Sequence, residues 1–192
     1  WRTRIATGII KWCLNNFKKY VFLTEAMNVV NERKRPYIVM EGMSDRFMAT
    51  YKRPFEAKDI KVVMYAGGLH ERYGLKKLTE AFMMLPQENF RLKLFGSGPF
   101  VEKLKTKYTK KDSRIQYMGV APNAEVVAAE LDASLLVNPR PTHEEFTKYS
   151  FPSKNIEYMA SGTPLLTTKL PGMPKEYYPY VFLIENESVE GY

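Results

Sequence analysis

The sequence has a single cysteine, Cys13, in 192 residues, so no intramolecular disulfide can form. That fits a reducing compartment and a cytoplasmic setting. It has only two histidines, His70 and His143, each standing alone, and no Asp-x-Asp pair or zinc-finger spacing. No metal is therefore expected, and no zinc-based nucleic-acid module. No run approaches the roughly 20 apolar residues of a membrane span. Ile5 to Leu14 is too short for a secretory signal and is broken by Lys11. The chain opens on Trp1, with no initiating methionine, which suggests a piece of a longer protein.

The hydrophobic content, 45%, is enough to bury a real core in one or two domains. The net charge of +8 is unevenly placed. Residues 1–60 carry 12 Lys/Arg against 6 Asp/Glu, and residues 61–192 carry 17 against 15. Runs such as Lys18-Lys19 and Arg33-Lys34-Arg35 suit nucleic acid, an anionic membrane face or a phosphorylated substrate by charge alone, or are solvated surface. Nucleic acid is not expected as a partner, because no nucleic-acid motif accompanies the charge.

Residues 4–20 read as an amphipathic helix with Ile5, Ile9, Trp12, Leu14 and Phe17 partly buried. A strand over 20–24, a helix over 25–33, a strand over 36–40 and a turn over 41–45 follow. These are too few elements for a domain. Residues 46–58 look like a linker, and the chain is divided into a unit over 1–50, a linker over 51–58 and a unit over 59–192. From Asp59 the pattern becomes regular. Strands are expected at 61–66, 91–95, 114–118, 134–138, 164–168 and 181–184. Helices are expected at 74–85, 100–110, 123–131 and from Pro152 onward, and the helix expected after Ile184 is missing. Strands alternating with helices of this length indicate β-α-β units and a parallel sheet.

In such a sheet the ligand site lies at the C-terminal ends of the strands. The glycine-bearing loops fall there: Gly67-Gly68, Gly96-Ser97-Gly98 and Gly119-Val120. Glycine lets backbone approach a ligand closely. After the fourth strand comes Tyr149-Ser150-Phe151-Pro152-Ser153-Lys154-Asn155-Ile156-Glu157, read as a loop opening a helix. Ser150 is the expected N-cap and Pro152 a first-turn residue. The free N–H groups of that helix start suit a phosphate. Lys154 and Glu157, three apart, share a helix face. A glutamate there could accept hydrogen bonds from a pair of sugar hydroxyls. The alternative is an ordinary capped helix with a solvated ion pair. A nicotinamide-dinucleotide site is disfavoured, because Val101 stands where G-x-G-x-x-G needs its third glycine and the next strand ends in Gly119 without the ribose-binding acid.

The order of these motifs resembles the C-terminal, donor-binding domain of the retaining glycosyltransferases of group 1 (family 4). The resemblance runs through 61–184: Tyr65-Ala66-Gly67-Gly68-Leu69, Leu94-Phe95-Gly96-Ser97-Gly98, Ile115 to Val120, Leu135 to Pro139, and above all Phe151-Pro152-Ser153-Lys154 with Glu157-Tyr158-Met159-Ala160-Ser161-Gly162-Thr163-Pro164. Residues 1–50 resemble the end of the family's acceptor domain. The resemblance implies an α/β fold: one Rossmann-like parallel sheet with helices on both faces, the donor-binding half of the two-domain GT-B architecture, plus a remnant of the other half.

The roles it implies are as follows. Glu157 matches the second glutamate of an E-x7-E motif that holds the donor ribose. Ser150, Phe151, Pro152, Ser153 and Lys154 form the loop around the diphosphate and sugar. Gly67 and Gly68 approach the phosphates, and Gly96, Ser97, Gly98 and Val120 line the base and ribose. Tyr149 stands where the first glutamate would fall, and Tyr73 stands where lysine is common before Gly74, so Arg72 with Lys154 is the candidate phosphate charge. No catalytic residue is singled out. The implied partners are a nucleoside-diphosphate sugar donor, with no cofactor, and a glycan or lipid-linked acceptor held by the other domain. The implied activity is retaining, metal-independent transfer in making a cell-surface polysaccharide or glycolipid, at the cytoplasmic face of the membrane, with this piece alone inactive. The rivals are a non-catalytic membrane-associated scaffold of the same fold and a sugar-nucleotide epimerase.

Overall fold

The protein is described by a computed structural model covering residues 2–45, 48 and 58–192, with side chains from residue 8 onward. The expected linker over 46–58 lies outside the described residues, apart from Met48 and Lys58.

Helix α1 spans Arg2–Asn16. The stripe expected to be partly buried is largely in solvent: Ile9, Trp12 and Phe17 are each more than half exposed, and Leu14 alone of the described members is half-buried. Polar tethers hold the helix instead, with Lys11 and Asn15 both on Glu32 at 3.3 Å. Strands β1 (Tyr20–Phe22) and β2 (Tyr37–Val39) pair in parallel, Tyr20 opposite Tyr37. Between them lies a 3₁₀ turn, Glu25–Val30, not the expected α-helix to Arg33. The Asn31 side chain stops it by bonding the backbone of Arg35 in both directions, at 2.8 and 2.9 Å.

The regular pattern after Asp59 becomes one six-stranded, all-parallel sheet. Its strands are β3 (Lys61–Ala66), β4 (Phe90–Phe95), β5 (Ile115–Gly119), β6 (Leu135–Asn138), β7 (Leu165–Thr168) and β8 (Phe182–Ile184). The spatial order is β5-β4-β3-β6-β7-β8. The chain winds outward from β3 to one edge, then returns to lay β6 on the other side of β3.

Helices cover both faces, as the alternation of buried strand residues requires. On one face α2 (Leu75–Met84) puts Leu75, Leu78 and Phe82 against Leu92 and Leu94. Beside it lies α3, which begins at Phe100–Lys103, widens into a π-helical turn over Leu104–Tyr108 and ends at Thr109–Lys111. On the other face α4 (Asn123–Asp132) and α5 (Ser153–Ser161) bring Val126 and Tyr158 onto Met64, Leu136 and Leu165.

Beside β6, the β3 ladder stops at Met64↔Leu136. The even-numbered residues of β3 turn their backbone toward β6, so Ala66, paired with Phe95 on β4, is left without a strand partner on the β6 side. The fully buried Tyr158 supplies one: its hydroxyl accepts the Ala66 N–H at 2.8 Å and faces the Ala66 carbonyl at 3.3 Å. The two central strands therefore splay at their C-terminal ends, and a helix side chain closes the polar gap.

Candidate functional site

The reversal of strand order between β3 and β6 is the topological switch point of the sheet, where an open α/β sheet has its crevice. The loops expected to carry the site meet on this edge. Gly67-Gly68 leave β3, Gly96 leaves β4, Val120 leaves β5 and Pro139-Arg140 leave β6. A cleft of about 190 Å³ is lined by Ala66, Gly67, Gly96, Val120, Asn123 and Lys154. A wider opening of about 460 Å³ adjoins Asn123, Ser153 and Glu157 on one wall and Met43 and Ser44 on the other. Asn123 borders both.

Two glycines are demanded by this geometry. Gly96 has φ +124°, and a Cβ there would sit 1.9 Å from the Gly67 carbonyl oxygen. Gly74 has φ +84°, and its Cβ would meet the Pro139 carbonyl oxygen at 1.7 Å. The loops after β4 and β6 are thus packed backbone to backbone on the loop after β3. Gly68 is steadied by the Tyr65 hydroxyl, which donates to its carbonyl at 3.0 Å. Of the second glycine loop only Gly96 borders the cleft. Ser97 accepts the Leu69 N–H at 2.8 Å and Gly98 the Val101 N–H at 3.1 Å, so both support the turn into α3.

The 150s loop differs from expectation at its start. The helix begins at Ser153 with Pro152 in the cap position, because the Pro152 carbonyl already accepts the Asn155 N–H at 2.9 Å. Ser150 is not the N-cap; its hydroxyl donates to the Phe146 carbonyl at 3.2 Å. Phe151 and Pro152 are buried, Phe151 stacked on Tyr177 at 5.4 Å with Leu170 and Met173 beneath it. What these two residues can present to a ligand is backbone. Tyr149 is 39% exposed. Arg72 is exposed and lies over the ring of Phe146, outside the cleft lining.

Lys154 and Glu157 are together, as their spacing requires, with Nζ 2.8 Å from Glu157 Oε2. They are not simply a solvated pair. The same ammonium lies 2.9 Å from Oε1 of Glu130, a fully buried carboxylate on α4. Burial pushes the Glu130 carboxyl up to about 7, although Lys154 pulls it down; the nearby Glu157 adds to the rise. Burial also works against the charge of Lys154, but its hydrogen bonds to Glu157 and Glu130 outweigh this and hold its pKa above the ordinary lysine value. The second oxygen of Glu130 has no partner among the described residues.

Glu130 belongs to no motif in the sequence. The available signal was its four-residue spacing from Val126, which puts a carboxylate on the buried face of α4. The arrangement offers a carboxylate, Glu157, steered by a cation and open to the wider cleft, beside a glycine-walled crevice that admits backbone-close contact. Among the described residues no three His, Cys, Asp or Glu side chains converge as a metal site.

Known proteins resemble this chain in sequence and in fold. Residues 60–192 match the family model for "Glycosyl transferases group 1". A stretch of 112 residues is 30% identical to the "Putative colanic acid biosynthesis glycosyltransferase WcaL" of Escherichia coli (strain K12), covering 56% of this chain and 27% of that one. Sucrose-phosphate synthase of Thermosynechococcus elongatus superposes with a TM-score of 0.68 at 19% identity, over 94% of this chain and 49% of that one. Anabaena HepE in complex with UDP superposes with a TM-score of 0.63 at 16% identity, over 92% and 52%. The chain thus spans about a quarter of the E. coli relative and about half of these two structures, whose likeness at such identity is one of fold. By sequence motif, sheet topology and family match alike, this chain belongs to the group 1 glycosyltransferases and holds one Rossmann-like half of their GT-B architecture.

Proposed function

We propose that this chain carries the donor site of a retaining glycosyltransferase, binding a nucleoside-diphosphate sugar for transfer to a glycan or lipid-linked acceptor in cell-surface polysaccharide synthesis. The observation that carries the reading is the Glu157–Lys154 pair standing where the switch-point crevice opens into the wider cleft. Glu157 would accept the two ribose hydroxyls, and the glycine walls at Gly67 and Gly96 would admit the phosphates against backbone. Transfer asks chiefly that charge on the departing diphosphate be stabilised, which fixed cations and amide dipoles provide without a metal ion. Calorimetry with a series of nucleoside diphosphates tests this. One of them should bind, and Glu157→Ala should weaken it about tenfold or more, the scale of a lost charge-assisted hydrogen bond. Equal binding by that variant sinks the ribose assignment.

A peripheral membrane contact is the second reading. Ile9, Ile10 and Trp12 are each more than half exposed on α1, close in sequence to Lys11, Lys18 and Lys19. Pelleting with anionic vesicles should fall on reversing the charge of Lys18 and Lys19; unchanged pelleting removes it.

A further inference from the structure

Glu130 is out of place in the apolar packing of α4 on the sheet. Its carboxyl is fully buried, with Oε1 2.9 Å from Lys154 Nζ and, among the described residues, no partner for Oε2. The strands β3 and β6 meet this helix with Val62, Met64 and Leu136. The charges that bear on Glu130 come from α5 and are those of Lys154 and Glu157. Tyr158, on the same helix, has its hydroxyl engaged on Ala66. On α4 itself, Asp132 pairs with Lys58. Apolar side chains would join the two helices at lower cost, because a buried carboxylate must recover its lost hydration. A polar group kept against that cost is expected where function requires it.

The three groups form a line from core to cleft. Glu130 is sealed inside, Lys154 borders the inner crevice and Glu157 borders the wider one. Glu157 gives Oε2 to the ammonium at 2.8 Å. A lysine with no second carboxylate would settle on Glu157 alone and weaken it as an acceptor. With Glu130 ionised, the ammonium is shared between the two helices, and Glu157 keeps more of its charge for hydroxyl donors. With Glu130 protonated, its hydrogen bond to Glu157 occupies that acceptor from the inner side.

Resting on the reading of Glu157 as the ribose acceptor, we propose that Glu130 is a positioning residue of the donor site: ionised, it draws Lys154 toward α4 and leaves the Glu157 carboxylate free to take both ribose hydroxyls.

Linkage sets the direction of the pH dependence. Burial pushes the Glu130 carboxyl up to about 7, so it ionises in the neutral range. Hydroxyls bound at Glu157 draw off negative charge that repels Glu130. Ligand binding and loss of the Glu130 proton therefore favour each other. Affinity should rise as pH passes through about 7, with a proton released to the buffer on binding.

The test is calorimetry of the chain with uridine, adenosine and guanosine, which carry ribose but no phosphate and no group that titrates in the neutral range. The nucleoside that binds should do so about three- to tenfold more tightly at about pH 8 than at about pH 6. Buffers of different ionisation enthalpy should report the released proton. Glu130→Gln keeps the shape and removes the titration. It should bind with the weaker affinity at both pH values and release no proton. In a Lys154→Met background the same change should add nothing, because its effect runs through the lysine. A packing defect, by contrast, would weaken binding while leaving its rise with pH in place, and that result overturns the role of Glu130. So does a Glu130→Gln variant with the affinity and pH profile of wild type, while Glu157→Ala still weakens binding and the donor reading stands. If no nucleoside binds, or Glu157→Ala binds it as wild type does, the donor reading falls and this role falls with it.

Discussion

Lys154 on α5 reaches across to Glu130 on α4, joining two helices of the same face through an ammonium 2.9 Å from a carboxylate with no solvent exposure. The folded chain holds the Glu130 proton more tightly than an unfolded chain, whose carboxyl titrates near 4.5. A raised carboxyl pKa contributes stability that is present below the unfolded value and is lost as pH rises through about 7. Urea unfolding of wild type and Glu130→Gln at about pH 5 and about pH 8 should show the glutamine variant gaining on wild type at the higher pH. A difference that does not move with pH would contradict the raised pKa.

The Tyr158 hydroxyl gives a stability prediction free of charge effects. Tyr158→Phe keeps the ring in the core but leaves the Ala66 N–H without a partner where β3 and β6 have parted. The expected cost is about 1–3 kcal/mol in urea unfolding. A cost within experimental error would show that water or a shifted strand replaces the hydroxyl.

Glycines 96 and 119 make a matched comparison. Both have positive φ, but a Cβ at 119 meets nothing within 4 Å, whereas at 96 it meets backbone at 1.9 Å. Gly119→Ala should cost about 1 kcal/mol, from conformation alone. Gly96→Ala must also displace a loop and should cost distinctly more, with loss of whatever ligand the crevice binds. Equal thermal shifts for the two would argue against this close packing.

If Lys154 acts through Glu157, then Lys154→Met should weaken nucleoside binding about as much as Glu157→Ala does and leave pyrophosphate binding untouched. Loss of pyrophosphate binding in that variant would show that the lysine contacts phosphate directly.

Much of this was legible in the residues. The strands and helices after Asp59 follow from alternation and spacing, and their ends moved by only a residue or two. The glycine loops, Lys154 and Glu157 could be placed on one edge because every parallel strand ends there. What local pattern could not show was which strands are neighbours. Only the adjacency of β3 and β6 brings Arg140 over the ring of Tyr73, and only the packing of α4 on α5 brings Glu130 to Lys154. The segment before Asp59 is less legible. α1 looked amphipathic by period, yet a period states which side could be buried and not whether anything is there to bury it. Asn31 ended the 3₁₀ turn through a side-chain bond that periodicity does not register.

The loop from β6 to α5 is fastened by residues from opposite ends of the chain. Near its start, both carboxylate oxygens of Glu187 accept the Thr142 N–H at 3.1 Å. Near its finish, the Thr24 hydroxyl donates to the Lys148 carbonyl at 3.0 Å. Arg140 and Phe146 ride on this strap. Its tension is thus set by residues more than 160 positions apart in sequence. Trimming the protein to its six-stranded sheet would slacken the strap from both sides at once while keeping all six of those strands.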